Sequence, residues 1–311
     1  MDIDLRKSAI DRSMTLEIVR VTEQAAIAAA RFRGRGCEKE ADKAAVDAMR
    51  RELNRLPIRG RIVIGEGERD DAPMLFIGEQ VGTGDGPRVD IAVDPLEATG
   101  VLARDLEGSL AVLAMAEDGS LLHAPDIYMN KIAIGPGYPD GTVDLDQSPN
   151  DNIQALAKAK GVQPHEITAC ILDRPRHAEL IAAVRKSGAA IRLIGDGDIA
   201  GVIHTVHPEE TGIDIYLGSG GAPEGVLAAA ALRCIGGQMQ GRLMPLKPKD
   251  YERAELLGVT DIKRKYSILD LASGDVVFAA TGITGGSLLK GVKFRAGFHP
   301  FPECWAGERR W

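Results

Sequence analysis

Between residues 152 and 235, segments with helical spacing of apolar residues alternate with short apolar runs, and this alternation most narrows the folds open to the chain. Helices are predicted over 152–160, 177–187, from 198 onward and over 224–235, and strands at "EITACIL", "AAIRLIG" and "GIDIYLGS". Helices that alternate with strands predict a parallel sheet with crossover helices. The fold class predicted for this part is therefore α/β.

The preceding residues have a different pattern. Two helices are predicted over 14–33 and 39–55, followed by strands at "RIVIG", "VDIAVD" and "SLAVLAMAE", the last pairing with "SLLHA" across the turn "EDGS". A stretch rich in Gly, Pro and Asp, residues 135–151, is the best boundary candidate. We therefore expect two packed α/β subdomains, an N-terminal one over 1–150 and a C-terminal one over 151–311.

Charge and composition exclude several functions. The formal net charge of −7 argues against a nucleic-acid binder, and an anionic phosphate substrate would need local positive groups or metal ions. The four cysteines form no CxxC pair, and "HTVH" lacks a third ligand, so neither a disulfide framework nor a zinc site is expected. The N-terminus lacks the apolar core of a signal peptide, and no apolar run is long enough to span a membrane. The sequence predicts a soluble, cytoplasmic protein.

Acidic side chains recur where apolar strands end, which is where α/β proteins place ligand sites. Carboxylate oxygens are the ligands preferred by Mg²⁺ and Mn²⁺, often in sites that a substrate phosphate completes. All the acidic candidates except Asp42 follow a predicted strand. They are Asp42, Glu66, Glu68, Asp94, Glu97, Asp196, Asp198 and Glu224.

Each acidic position also has a purely structural interpretation. An acidic loop is often a solvated turn, and Glu97 and Glu224 could simply be favourable charges in the first turn of a helix. A plain turn explains "GDGD" (195–198) as well as a site does. A plain turn does not explain well why Asp94, Pro95, Glu97 and Thr99 occur together in the motif Asp-Pro-x-Glu-x-Thr. There the proline should turn the chain out of the strand, so that both carboxylates and the hydroxyl face one point beside a helix start.

Two further motifs bear on the substrate. "LGSGGAPEGVLAAAALR" has the strand–turn–helix context of a dinucleotide site, but Pro223 stands where the fingerprint has its third glycine, and no Asp or Glu occurs between Glu224 and Asp250 to hold a ribose. In "LDRPRHAEL", Arg174 and Arg176 suit phosphate oxygens, although a surface ion pair explains them equally well. His177 is expected to cap or pack rather than to bind a ligand.

The motifs "IVIGEGE", "VDPLEATG", "APDIYM", "RPRH", "GDGD" and "GGAPEG" together resemble those of class II fructose-1,6-bisphosphatases, which belong to the lithium-sensitive, metal-dependent sugar and inositol phosphatases. The similarity is collinear from about residue 14 to about residue 297. It implies a layered αβαβα sandwich and metal-dependent hydrolysis of fructose 1,6-bisphosphate to fructose 6-phosphate and phosphate. It also implies a homo-oligomer, either a homodimer or a homotetramer, with two or more Mn²⁺ or Mg²⁺ ions per site.

The resemblance assigns a role to each matching residue. It implies metal ligands at Asp42, Glu66, Asp94, Glu97 and Glu224, and catalytic roles for Thr99, Asp94 and Glu66 in aiming a metal-activated water at the 1-phosphate. It implies substrate contacts at Glu97, Ala98, Thr99, Tyr128, Arg174, Pro175, Arg176, Asp196, Gly197, Asp198 and Gly221.

The chain departs from the family pattern at three places. Relatives usually have glycine where Ala98 stands, and a positive φ or a close phosphate would make the extra methyl group costly. Some have a lysine ahead of the first metal ligand where this chain reads Glu38-Lys39, so that role is not assigned. The tail 298–311, "FHPFPECWAGERRW", holds both tryptophans and replaces strand-forming sequence. If strands are missing here, we expect the stability or the assembly of the protein to suffer.

Other functions are also compatible with these motifs. A phosphatase for sedoheptulose 1,7-bisphosphate or for an inositol phosphate would use the same metal chemistry. A catalytically silent sugar-phosphate binding protein would keep the fold and the ligand without turnover. A dinucleotide-dependent oxidoreductase is the most remote alternative.

Overall fold

The computed structural model describes residues 10, 12–67, 74–294, 300 and 302–309. Glu68 and part of the tail 298–311 lie outside these residues. The strands are β1 (Arg59–Ile64), β2 (Gln80–Val81), β3 (Arg88–Glu97), β4 (Leu110–Glu117), β5 (Tyr128–Ile134), β6 (Thr168–Leu172), β7 (Ala190–Ile194), β8 (Ile215–Gly221), β9 (Gln238–Met244), β10 (Tyr266–Ser267), β11 (Val276–Gly282) and β12 (Cys304–Arg309).

Ten α-helices are seen in the described residues: α1 (Arg12–Ala30), α2 (Glu38–Leu53), α3 (Thr99–Ala103), α4 (Pro149–Lys160), α5 (Ala178–Lys186), α6 (Asp198–Ile203), α7 (Pro208–Thr211), α8 (Ala222–Ile235), α9 (Pro248–Leu256) and α10 (Ile268–Leu271). Short 3₁₀ turns lie at Pro164–Glu166, Pro175–His177 and His204–Val206. In the part of the chain described, no helix has the length and apolarity needed to cross a membrane.

Helix α4 illustrates how local sequence sets an element's ends. The Ser148 side chain accepts a hydrogen bond from the Asp151 N–H at 3.2 Å, and Pro149 occupies the first turn, where no N–H is needed. Gly161 ends the helix in the left-handed conformation, with φ of 76°. These signals place the helix three residues before the predicted start at residue 152.

The two sheets each have six strands, in the orders β12-β11-β4-β3-β1-β2 and β10-β9-β5-β8-β6-β7. Three hydrophobic cores separate the layers. One lies between α1–α2 and the first sheet, one between the two sheets around α6 and α8, and one between the second sheet and α4–α5. This order of helix, sheet, helix, sheet and helix confirms the predicted αβαβα sandwich.

Helix α8 is the central layer. Its sequence "APEGVLAAAALRCI" is rich in alanine, and every residue from Gly225 to Arg233 is buried. A helix that is apolar all round is expected where no face meets solvent. The small side chains let both sheets approach the helix closely.

Two expectations about strand pairing were wrong. "SLAVLAMAE" (β4) does not form a hairpin with "SLLHA"; it pairs antiparallel with β3 and β11, and Leu121 makes a single bridge to Ala272. The second sheet is mixed rather than parallel, because β6 pairs in parallel with β7 and β8 whereas β5 pairs antiparallel with β8 and β9. The alternation of helices and strands predicts only how consecutive strands connect. Strand β5 precedes the alternating segment in the sequence, so the pattern did not predict its place in the sheet.

The atypical tail adds a strand. Residues 304–309 form β12, which pairs antiparallel with β11 at the edge of the first sheet. The chain enters the second sheet at β5 and returns to the first at β11. The division into subdomains near residue 150 stays a prediction.

Candidate active site

One cavity of about 580 Å³ lies where α2, β1, β3, α6 and α8 approach each other. Its wall combines side chains that are far apart in the sequence. The predicted site residues that line it are Asp42, Glu66, Asp94, Glu97, Ala98, Thr99, Asp196, Gly197, Asp198 and Glu224. All the predicted metal ligands therefore face one space.

Strand β3 carries two of these carboxylates at its end. The strand continues through Asp94 and Pro95 to Glu97, so the expectation that it stops at Asp94-Pro95 was wrong. Asp94 lies opposite Val112 and Glu97 opposite Leu110, so β3 has one more residue here than β4, which is a β-bulge. In a regular strand, positions three apart point to opposite faces. The bulge removes that alternation, and both carboxylates reach the cavity.

The chain leaves β3 through an unusual backbone conformation. Ala98 has φ of 62° and ψ of 53°, the left-handed region that favours glycine. Thr99 then begins α3, and its hydroxyl donates a hydrogen bond to the Leu96 carbonyl at 3.2 Å. The Asp94 side chain also fixes this turn, because its Oδ1 accepts the Leu96 N–H at 3.1 Å.

Glu97 joins the bulge to the neighbouring helix. Its Oε1 accepts the Ile199 N–H at 2.8 Å, in the first turn of α6, and its backbone carbonyl accepts the Ser109 hydroxyl at 2.9 Å. Its Oε2, like Oε2 of Glu224, is buried without a hydrogen-bond partner among the described residues. A buried carboxylate oxygen without a partner is costly, which points to a missing positive group.

Burial and mutual repulsion act together on these acids. Burial, with a smaller contribution from the Asp42 carboxylate, raises the pKa of Glu66 to about 8. Burial, then Glu66 and Glu224, raise the pKa of Asp94 well above its usual range, and burial followed by Asp94 does the same for Glu97. The pKa of Glu224 and that of Asp42 are raised mainly by burial. Such a cluster favours either protons or cations.

The donor set can be compared with the needs of a divalent cation. Carboxylate oxygens are suitable ligands for Mg²⁺ and Mn²⁺, and two of them are buried and unpaired. Within the described ranges, however, no three His, Cys, Asp or Glu side chains are close enough together to hold a metal ion as they are placed. The chemistry of the residues fits a metal centre, and its coordination would require the side chains to close in.

The other predicted substrate residues lie beside the cavity. Arg174 Nη2 is 3.6 Å from Oδ1 of Asp196, which lines the wall. Tyr128 pairs with Gly221 across β5 and β8, and Gly221 directly precedes α8. The Arg176 guanidinium lies 4.7 Å from the centre of the Tyr128 ring. Pro175 begins the 3₁₀ turn that carries both arginines.

Proteins with similar sequences identify the family of this chain. A sequence model of the bacterial fructose-1,6-bisphosphatase encoded by glpX matches residues 12–300. The chain belongs to that family. It is 47% identical over 313 residues to the D-fructose 1,6-bisphosphatase class 2/sedoheptulose 1,7-bisphosphatase of Synechococcus sp. (strain JA-3-3Ab), covering 93% of this chain and 90% of that protein. The protein of the same name from Synechococcus sp. (strain CC9902) is 46% identical over 301 residues, covering 92% and 90%.

Among solved structures, the extragenic suppressor protein SuhB from Bartonella henselae matches with 14% identity and a TM-score of 0.36, covering 63% of this chain and 74% of that one. The family membership rests on the sequence relatives.

Sequence reasoning missed one central residue of this family member. Lys131, on β5, is 1% exposed and its ammonium group forms an ion pair with Asp198. Its positive charge also lowers the pKa of Glu224, against the larger effect of burial. The available signal was a lysine within "YMNKIAI", since a charge in an apolar strand needs a partner.

Two further acids in the wall were also missed. Glu38, at the start of α2, and Asp126, just before β5, line the cavity. Asp126 contributes to the raised pKa of Glu224. Asp126 lies within the motif "APDIYM", but there it follows a loop rather than an apolar strand, and so it lacked the pattern that identified the other acids.

Proposed function

We propose that this chain hydrolyses fructose 1,6-bisphosphate to fructose 6-phosphate and phosphate with the help of divalent metal ions. One observation carries the proposal. Acids from α2, from the loop after β1, from the β3 bulge and from α8 line one cavity, and the turn that holds Arg174 and Arg176 adjoins it through the contact of Arg174 with Asp196. Anionic and cationic groups are thus side by side, as a metal-assisted phosphate reaction requires.

The acids divide into two groups. Asp42, Glu66, Asp94, Glu97 and Glu224 would hold the cations, two or more ions of Mg²⁺ or Mn²⁺. When bound, such ions supply a water of lowered pKa and stabilise charge on the transferring phosphate. Asp196 and Asp198 would accept hydrogen bonds from sugar hydroxyls.

The remaining residues would orient the substrate. The Thr99 hydroxyl donates to the Leu96 carbonyl, so its lone pairs can accept a hydrogen bond from the attacking water. Arg174 and Arg176 would bind the far phosphate, since guanidinium forks match phosphate oxygens. Fixing both ends of the substrate makes the reaction effectively intramolecular.

Sedoheptulose 1,7-bisphosphate is a second candidate substrate, because the name of the curated relatives includes sedoheptulose 1,7-bisphosphatase. A substrate panel with fructose, sedoheptulose and inositol phosphates, ranked by kcat/KM, separates these possibilities. The assembly as a homodimer or homotetramer and a cytoplasmic location stay predictions.

The test is phosphate release from fructose 1,6-bisphosphate with Mn²⁺ or Mg²⁺, comparing the wild type with Asp94→Asn. We expect the variant to lose at least about a hundredfold in kcat/KM, because an amide removes a charge from the metal site. Asp151→Asn, on the exposed start of α4, is the matched control and should stay near wild type.

Turnover without metal, or an unchanged Asp94→Asn rate, would contradict the mechanism. A thermal shift with fructose 1,6-bisphosphate but no turnover in the wild type would indicate a silent binding protein instead.

A further inference from the structure

A buried histidine behind the arginine turn has no part in the proposed metal chemistry. His177 is 3% exposed, and its Nδ1 lies 2.8 Å from the Leu172 carbonyl oxygen. A carbonyl oxygen can only accept, so Nδ1 carries the proton. Burial, more than any neighbouring charge, lowers the pKa of His177, in keeping with a neutral ring. The expectation that this histidine packs inside the protein is confirmed by its burial.

The other ring nitrogen holds Ser219. In the neutral ring Nε2 is an acceptor, and it receives the Ser219 backbone N–H at 2.9 Å and lies 3.0 Å from the Ser219 hydroxyl. The approach is close, because a Cβ built on Gly218 would lie 3.2 Å from the His177 ring. Glycine at this position lets β8 pass directly against the imidazole.

Ser219 in turn holds Arg176. Its Oγ accepts from Arg176 Nε at 3.1 Å and its carbonyl from Arg176 Nη2 at 2.7 Å. The same guanidinium stacks on Tyr128. Two hydrogen bonds and one ring face fix the plane of an otherwise flexible side chain, and the Nη1 amino group is not used by Ser219.

From this chain of contacts we propose that His177 and Ser219 are positioning residues that orient Arg176 toward the second phosphate of a bisphosphate substrate. They set the preference for bisphosphates over monophosphates without touching the reacting atoms. A preorganised guanidinium loses less freedom on binding than a mobile one. The inference rests on the proposed function.

The experiment measures kcat/KM for fructose 1,6-bisphosphate and for fructose 1-phosphate, which keeps the sugar and the reacting phosphate. In Ser219→Ala, Arg176 keeps the carbonyl bond and loses the Oγ bond. We expect the bisphosphate-to-monophosphate ratio to fall about three- to tenfold, the effect of one partly exposed hydrogen bond to a charged group. The fall should lie in KM more than in kcat.

Four variants complete the series. Arg176→Lys should lower the ratio further, because an ammonium group cannot make the fork. His177→Gln should lower it less than His177→Ala, since a glutamine Oε1 can accept the Ser219 N–H. Ser187→Ala removes a hydroxyl that donates to the Val184 carbonyl of α5 and accepts the Ala189 N–H, both away from the arginine turn, and is the matched control with an unchanged ratio.

The outcomes are separable. A wild type without metal-dependent turnover of either substrate overturns the proposed function. An active wild type with an unchanged ratio in Ser219→Ala overturns the positioning role. An equal loss on both substrates also overturns it, because a general structural defect would act on both. If His177→Ala does not fold, as thermal melting would show, the Ser219→Ala ratio still decides.

Discussion

At the scale of single residues, Ala98 has a backbone conformation that is costly for any residue with a Cβ. Its φ of 62° lies in the region where a Cβ crowds the following carbonyl. Its methyl group also reaches the wall of the cavity, since a Cβ built on Gly197 would lie 3.8 Å from it. The sequence predicted that a positive φ here would be costly, and the structure has that φ.

Replacing Ala98 with glycine should therefore stabilise the protein slightly. Relief of the left-handed strain is worth about 1–2 kcal/mol, and the greater freedom of glycine in the unfolded chain costs about 0.4–1 kcal/mol. The balance is a gain of about 0–1.6 kcal/mol in the free energy of unfolding, measured by urea denaturation.

Ala182→Gly, at an exposed helical position of α5, is the control for this change. There the strain is absent, and glycine should cost about 1 kcal/mol. If Ala98→Gly lost as much as Ala182→Gly, the conformation at Ala98 would be unstrained.

Residue by residue, the sequence located the acids better than their partners. Asp94 and Glu97 could be recognised because a strand and a proline precede them. Lys131 could be noticed as a charge in an apolar strand, but its partner Asp198 on α6 could not be identified, and neither could the contact of Ser219 with His177 beside β6, because both depend on the tertiary fold. Such contacts become visible only once the sheet order is known.

At the scale of elements, prediction succeeded where the signals were local. Helices α4 and α8 carry Pro in the first turn and Gly at the end, and both were predicted to within three residues. The pairing of β4 failed because its partner β11 lies about 160 residues further along the chain. The β3 bulge was missed for a similar reason, since its extra residue is defined only relative to β4.

Strand β12 shows that the atypical tail has a structural use. The Trp305 ring meets the Phe278 ring edge-on, with centroids 5.6 Å apart, and packs on the core around α8. Trp305→Ala should lower the free energy of unfolding by about 2–3 kcal/mol, less than for a fully buried tryptophan because the side chain is half-buried. Urea denaturation measures this loss.

Tyr251→Ala on α9 is the matched aromatic control. Its side chain is 54% exposed, and its removal should cost less than about 0.5 kcal/mol. Equal effects of the two substitutions would mean that β12 does not stabilise the sheet.

At the scale of the whole molecule, the fold gathers nine acidic side chains around one cavity, in a chain whose net charge is −7. Lys131 is the one buried lysine that pairs with an acid of this wall among the described residues. The fold brings these acids together because five layers place the ends of β1 and β3 beside the starts of α6 and α8. The net charge predicted that a phosphate substrate would need positive groups or metal ions nearby. It could not show that so many acids line the same cavity.

Because these acids are buried close together, the stability of the metal-free protein should fall as the pH rises. The folded pKa of Glu66 is raised from its ordinary 4.5 to about 8, so the folded state binds the proton more tightly than the unfolded state. Its contribution to stability is full below about pH 4.5 and is lost as the pH rises through about 8. The raised pKa values of Asp94 and Glu97 act in the same direction. Asp144 and Asp146, whose pKa values are lowered, act only at more acidic pH.

We therefore expect the Tm of the protein in EDTA to fall between about pH 6 and 8, and Mn²⁺ to raise the Tm more at pH 8 than at pH 6, because the ion replaces protons that the cluster has released. Thermal melting at three pH values, with and without the ion, measures both effects. Glu66→Gln should flatten the slope in EDTA, since an amide does not titrate, whereas Glu179→Gln on the exposed face of α5 should leave it unchanged. A Tm in EDTA that rises over this range would show that the acids of the cavity ionise without mutual cost.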